Sequence, residues 1–270
     1  MKTIVITGAT SGIGNALVRY FAKDNRVFAG YRNENHVEDL QALGVMPFYI
    51  NMTDKNSIRQ AAAFIKSQVD KIDTLINVAG CVVAGVVETL DVDRIREQFE
   101  VNTFSHLDFS QNLLDLVEGG KIINISSMAS FGVFPFVGPY CASKRALDIL
   151  FNSMANETKR NVKIVSIKPG VIATPLWEKS IDINKASINN CGGYENEMSF
   201  MVNNARKNQA EGLSVDEVVK VIANVDKMAN PKPSYTVGKD AKVAEIISHL
   251  PQGCINKLVQ FNLKRRVKNA

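Results

Sequence analysis

The residues best suited to chemistry are Tyr140 and Lys144, in the run Tyr140-Cys141-Ala142-Ser143-Lys144. On a helix, residues four apart share a face, so the phenol and the ammonium can point into one site. A free tyrosine has a pKa of about 10. A neighbouring ammonium favours the phenolate and lowers that value. Tyr140 is then expected to exchange a proton with a substrate oxygen near neutral pH. Ser127, 13 residues earlier, follows an apolar run and stands where its hydroxyl can hydrogen-bond the same oxygen. A tyrosine and a lysine at this spacing also occur on ordinary surface helices, so the rest of the chain has to decide.

A second cluster is Thr7-Gly8-Ala9-Thr10-Ser11-Gly12-Ile13-Gly14. It follows a short apolar run and precedes a helical pattern. Glycines allow a tight turn and let backbone N–H groups approach a pyrophosphate. The helix N-terminus then holds the anion. No Lys-Ser/Thr follows the last glycine, which disfavours a nucleoside-triphosphate P-loop. About 20 residues on, the next apolar run ends at Tyr31-Arg32. An acid there would bind the ribose 2′-hydroxyl of NAD. Arg32 instead offers a guanidinium suited to a 2′-phosphate, which points to NADP(H) over NAD(H).

Elements that could position these groups are legible. Short β-branched apolar runs at 3–7, 26–29, 46–50, 74–77, 121–126, 163–167 and 234–237 read as strands. Helical patterns lie between them at 14–23, 35–43, 55–69, 93–117 and 140–158. The alternation predicts an α/β fold, a doubly wound parallel sheet of about seven strands with helices on both faces. We read the chain as a single domain, 1–270. It carries an irregular, Asn-rich substrate lid at 175–212 and a basic C-terminal helical extension at 240–270. Ser214 and Glu217 read as a capping box that opens a helix through Met228.

Together these motifs resemble the classical short-chain dehydrogenase/reductase family, over residues 1–240 or so. TGATSGIG resembles the family's TGxxxGxG, and Ser127, Tyr140 and Lys144 match its catalytic set. Asn77-Val78-Ala79-Gly80 resembles its NNAG. Asn102 matches the helix asparagine that anchors a water linking to the lysine. The resemblance implies a Rossmann-like domain and a hydride transfer between nicotinamide and a substrate carbon. Tyr140 would be the acid in reduction and the base in oxidation. It further implies cofactor contacts from Gly8, Thr10, Ser11, Gly12, Ile13, Gly14, Tyr31, Arg32, Asn51, Met52, Asn77, Ala79, Gly80, Tyr140 and Lys144. Pro169, Gly170, Ile172 and Thr174 would hold the carboxamide, and Asn77 would sit under the adenine ribose. Val78 and Asn51 depart from the family's usual Asn and Asp. A homodimer or homotetramer, paired through the helices at 93–117 and 140–158, is also implied.

For the substrate, Val82, Val83, Phe131, Val133, Phe134, Phe136, Val137, Trp177, Met198, Phe200 and Met201 surround the motifs. Val82, Phe134, Trp177 and Phe200 are the pocket residues we single out. If the set lines a pocket, the substrate is a bulky apolar alcohol or ketone, although the same residue types also suit a core or a subunit interface. The segment 232–242, followed by Leu250-Pro251, resembles the family's hydroxysteroid and retinol dehydrogenase branch and suggests a hydroxysteroid or bile-acid-like lipid. Alternatives are a 3-oxoacyl-thioester reductase and a non-catalytic dinucleotide-binding regulator.

The net charge of +5 is carried by Lys257, Lys264, Arg265, Arg266 and Lys268, with no acid after Glu245. The remainder is neutral, which argues against a nucleic-acid partner. Around these cations Ile255, Leu258, Val259, Leu263 and Val267 form a rough helical stripe. It suits a helix docked on the body, a weak contact with an anionic membrane, or steering of an acidic substrate. Four cysteines without a CxxC and three scattered histidines suggest neither a zinc site nor a disulfide framework. They fit a cytoplasmic protein without a metal. No apolar run is long enough for a transmembrane helix.

Overall fold

The computed structural model describes residues 1–267. Seven parallel strands form one sheet: β1 (Thr3–Ile6), β2 (Arg26–Tyr31), β3 (Met46–Tyr49), β4 (Thr74–Asn77), β5 (Lys121–Ile125), β6 (Lys163–Pro169) and β7 (Ser234–Val237). Their order is β3-β2-β1-β4-β5-β6-β7. Every expected strand is present, with shifts of two residues or fewer at the ends. Successive side chains of a strand face opposite ways. Ile4 and Ile6 accordingly join one core cluster while Val5 joins the other.

The first cluster is closed by α1 (Gly12–Phe21), α2 (Val37–Ala42) and α10 (Val215–Lys227), through Leu17, Val18, Leu40, Val218 and Ile222. The second is closed by α3 (Lys55–Gln68), α5 (Ser105–Leu113) and α6 (Gly138–Glu157), through Ile58, Ile65, Phe109, Leu113, Leu147 and Phe151. Helices on both faces make the sheet doubly wound. The strand order reverses between β1 and β4, so a crevice opens at their carboxyl ends, where such sheets bind ligands.

Three expectations need correction. The helix read at 93–117 is not continuous. It splits into α4 (Val92–Phe99), a π-turn at Glu100–Phe104 and α5. Single π-turns of this kind gather at functional sites, and this one contains Asn102.

The stretch at 175–212 is helical rather than irregular: α7 (Leu176–Ile183), α8 (Lys185–Asn189) and α9 (Glu195–Glu211). Its asparagines hide the pattern because one of them does structural work. The Asn184 side chain is buried and accepts from Ala84 N–H at 2.9 Å. Its Nδ2 donates to the Val82 and Ser180 carbonyls. That ties this helical stretch to the loop after β4.

Ser214 caps α10 by accepting from Asp216 N–H. Glu217 does not return the bond, because its carboxylate pairs with Lys220 at 2.7 Å.

Beyond β7 come α11 (Lys239–Ile247) and α12 (Gln252–Val267). Lys268, and the side chains of Arg266 and Val267, lie outside the described residues. Among the described residues no helix is long and apolar enough to cross a membrane.

Candidate active site

The glycine turn joins β1 to α1 at the crevice. Gly8 and Gly12 take φ of 63° and 51°, conformations that L side chains disfavour. A Cβ on Gly8 would press on the Ala79 backbone at 2.8 Å, and one on Gly14 would overlap the Gly8 carbonyl. Gly14 therefore serves close packing of α1 on the turn and lies behind the cleft. Gly8, Thr10, Ser11, Gly12 and Ile13 line it. Ser11 is the N-cap residue of α1 but its side chain makes no capping bond, and α1 has no acid in its first turn. The turn therefore presents main-chain donors and the positive end of a helix, the right partners for a diphosphate.

Tyr31 and Arg32, after β2, and Asn51 and Met52, after β3, line the adjoining stretch. Arg32 is exposed and makes no ion pair among the described residues. The Asn51 side-chain oxygen accepts from Thr53 N–H at 3.2 Å and from the Thr53 hydroxyl at 3.0 Å.

The loop after β4 is held from three sides. Thr7 Oγ1 accepts from Val78 and Ala79 N–H at 3.0 and 3.3 Å. Asn102 accepts from Cys81 N–H through Oδ1 at 2.9 Å and donates through Nδ2 to the Cys81 carbonyl at 2.9 Å. It also donates to Ser143 Oγ at 3.1 Å. His106 Nε2 meets the Ala79 carbonyl at 2.7 Å. Burial pushes His106 down to about 3, with Lys144 adding to the effect. It is thus a neutral donor, its tautomer assigned from the carbonyl it faces.

His106 and Thr7 were not foreseen as site residues. A histidine four residues after Asn102 was the available signal.

Asn77 is displaced from its expected role. It is fully buried and donates to Ser110 Oγ at 3.0 Å and to Asn124 Oδ1 at 2.8 Å. It fastens β4 to β5 and α5, behind the cleft, while Val78, Ala79, Gly80 and Cys81 line it.

Ser127, Tyr140 and Lys144 converge on the cleft beyond this loop. Ser127 caps a 3₁₀ turn at Met128–Phe131 by accepting from Ala129 N–H at 3.1 Å. Tyr140 and Lys144 share a face of α6, as the spacing predicts. Their electrostatics differ from the expectation. Burial pushes the Tyr140 phenol up to about 12, against a smaller downward pull from the Ser127 hydroxyl.

Lys144 is 4% exposed and donates to the Ile125 carbonyl at 2.8 Å. Its ammonium lies 5.9 Å from the centre of the Tyr140 ring. Turned to that carbonyl, it does not offset the desolvation of the phenol. Lys144 itself is lowered by burial to about 8. Burial thus favours the neutral phenol of Tyr140. Asn102 lies behind the lining residues.

Pro169, Gly170, Ile172 and Thr174 complete this wall. Gly170 N–H donates to the Val237 carbonyl at 2.8 Å, and Val171 N–H to Asp240 Oδ2 at 2.7 Å. Asp240, seen in the sequence only as part of a tail pattern, thus fixes this segment from α11. Thr174 packs on Gly12, bringing the segment against the glycine turn.

The cleft runs on into a largely apolar cavity, about 1100 Å³ in all. Val82, Phe134, Trp177 and Phe200 all line it, as expected, and Val83, Phe131, Val133, Phe136, Val137 and Met201 do too. Met198 does not: it is 1% exposed and packs away from the cleft. Trp177 Nε1–H donates to the Ile172 carbonyl at 2.8 Å. Phe136 has a φ of 67°, strain of the kind that gathers at ligand sites. The stripe of α12 docks here, with Ile255, Leu258, Val259 and Leu263 on the cavity wall.

The residues fit a nicotinamide dinucleotide. The glycine turn makes a cradle that a Cβ would fill, and the lining runs without a break from Arg32 to Tyr140. Comparisons with known proteins agree. The protein is 31% identical over 194 residues, 67% of this chain and 69% of the relative, to an NADPH-dependent 3-dehydrocapnine reductase of Ornithobacterium rhinotracheale. A short-chain dehydrogenase from Streptomyces avermitilis shares the fold with a TM-score of 0.79 at 22% identity, over 98% of this chain and 97% of that one. A short-chain dehydrogenase/reductase from Burkholderia phymatum in complex with NAD does so at 0.78 and 19%, over 95% of each chain. The family model for short chain dehydrogenases matches residues 2–185. With that match over most of its length, and with the glycine turn and cleft just described, the chain belongs to the short-chain dehydrogenase family and is a nicotinamide-dependent oxidoreductase.

Proposed function

We propose that the protein is an NADP(H)-dependent reductase of a bulky apolar ketone, of the size of a steroid or bile-acid-like lipid, and that it also runs the reverse alcohol oxidation. The observation that carries this reading is the position of Ser127, Tyr140 and Lys144 where the glycine-lined cleft meets the apolar cavity. The bound cofactor would supply the hydride, and the protein orients it. The chain's own residues supply the rest. Ser127 hydrogen-bonds the substrate oxygen. Tyr140, kept protonated by burial, donates its proton to that oxygen as charge develops there. Lys144 adds a buried positive charge beside it. Phe134, Trp177 and Phe200 hold the apolar body of the substrate and exclude water.

The preference for NADP(H) rests on Arg32, exposed in the cleft and without an ion pair among the described residues, and on the NADPH dependence in the name of the relative from Ornithobacterium rhinotracheale. Exposed Phe104 and Ile149, beside α5 and on α6, are apolar surface that a second copy of the chain would cover. The cysteines among the described residues are all free, which suits a reducing cytoplasm.

The test is steady-state turnover with NADPH and with NADH on steroid ketones, bile-acid ketones and one acyl thioester. Turnover of a steroid-size ketone with NADPH is the expected result. Turnover confined to the thioester would overturn the substrate class, and turnover confined to NADH would overturn the role of Arg32.

A further inference from the structure

Two buried charges next to the catalytic helix take no part in the chemistry above. Asp148 follows Lys144 by one turn of α6, so Tyr140, Lys144 and Asp148 lie four apart along one face. Asp148 is 2% exposed. Its Oδ2 lies 3.0 Å from Nζ of Lys168, which is 8% exposed. Among the described residues neither Asp148 oxygen accepts a hydrogen bond, so charge alone holds this carboxylate. Lys168 stands on β6 directly before Pro169, and its ammonium lies 4.6 Å over the Phe131 ring. The pair therefore joins the Tyr140 helix, the turn that follows Ser127, and the segment that opens at Pro169.

Burying an ion pair costs desolvation, and an apolar pair of similar volume is often as stable. Fold stability is thus a weak reason to keep one here. The surroundings of Lys144 supply a better one. The titratable groups acting on or facing it are Tyr140 and Asp148 on α6, Cys81 after β4 and His106 on α5. Lys168, on β6, stands beyond Asp148. Tyr140 and Cys81 are pushed up by burial, to about 12 and about 11, and stay protonated. His106 is neutral. Asp148 is the one carboxylate acting on this ammonium among the described residues.

We propose that Asp148, anchored by Lys168, is a positioning residue that keeps Lys144 an ammonium at the pH where the enzyme works. The proposal rests on the reading of Lys144 as a catalytic group. Burial alone favours the neutral amine, and the nearby carboxylate opposes it. Removing the carboxylate makes Lys144 lose its proton at lower pH. The loss of activity then begins on the alkaline side.

The test titrates Lys144 directly, by NMR of protein labelled with ε-¹³C lysine, the signal identified by its absence in Lys144→Arg. In Asp148→Asn its midpoint is expected to fall by about one pH unit or more. The alkaline limb of ketone reduction should move down with it, while rates at pH 6 stay within about threefold. Asp148→Glu should restore part of both shifts. An unchanged Lys144 midpoint in Asp148→Asn overturns the proposal. If that variant does not fold, because Lys168 is left buried and unpaired, Asp148→Asn/Lys168→Met takes its place with the same expected fall and the same contrary result. A lowered midpoint that activity ignores supports the coupling and counts instead against the catalytic reading of Lys144.

Discussion

Along the glycine turn the cleft is made of main chain. Gly8 and Gly12 sit at positive φ, Gly14 packs on a carbonyl, and the loop after β4 is clasped by Thr7, Asn102 and His106 through its N–H and C=O groups. Beyond Tyr140 the cleft is made of side chains: Phe134, Trp177, Phe200 and the stripe of α12. On the proposed reading the first end holds a part common to all dinucleotides, so backbone geometry suffices and few substitutions are tolerated. On the proposed reading the second end fits the substrate, and its shape resides in replaceable apolar groups on the loop before α6 and on α7, α9 and α12.

That contrast can be broken by substitution. Gly14→Ala drives a methyl into the Gly8 carbonyl, and displacing the turn by about 1 Å should weaken NADPH and NADH alike by about 100-fold. Fluorescence titration of both cofactors checks it, and an unaltered affinity would show that the turn is not the binding cradle. Arg32→Ala sharpens the picture further. Losing a charged, forked hydrogen-bond partner should raise the Kd of NADPH by about 10- to 100-fold and leave NADH unchanged.

On the substrate side the effects are smaller and fall elsewhere. Phe134→Ala removes one wall of the cavity, and KM for an apolar ketone should rise by about tenfold with the NADPH Kd unchanged. A Kd that moved with KM would mean that the two ends are not separable.

The last expected effect concerns stability rather than binding. His106 is held at about 3 in the fold, below the 6.5 of an unfolded chain. Between those values the unfolded chain binds the extra proton, so stability falls as pH drops below 6.5, by about 1.4 kcal/mol per pH unit. Replacing His106 with Gln keeps a donor for the Ala79 carbonyl and removes that titration. Denaturant melts of the variant from pH 7 to 4 should show a shallower acid limb.

The same division governs how much the sequence disclosed. All seven strands, the glycine turn and the Tyr140–Lys144 face were legible because glycine, β-branched runs and helical spacing encode backbone geometry directly. The lid was not. Only Met198 and Ala205 of α9 are buried, so its hydrophobic period is faint. What docks it, the buried Asn184 side chain, looks like one more loop asparagine. Tyr140 differs from the spacing's expectation for a like reason, since the burial that raises its pKa is set by the fold and not by the Tyr140–Lys144 spacing. Asn77 belongs to a recognisable motif, yet its buried partners Ser110 and Asn124 become visible only once β4 and β5 are paired.

The central claim is that Tyr140 delivers the proton to a carbonyl oxygen at the junction of the two ends. Its most direct test is Tyr140→Phe, which removes that proton and keeps the ring. Single-turnover oxidation of bound NADPH by a steroid-size ketone should fall by about 10²- to 10⁴-fold, with the NADPH Kd unchanged. A variant that still reduces the ketone within a few-fold of the wild-type rate would contradict the account.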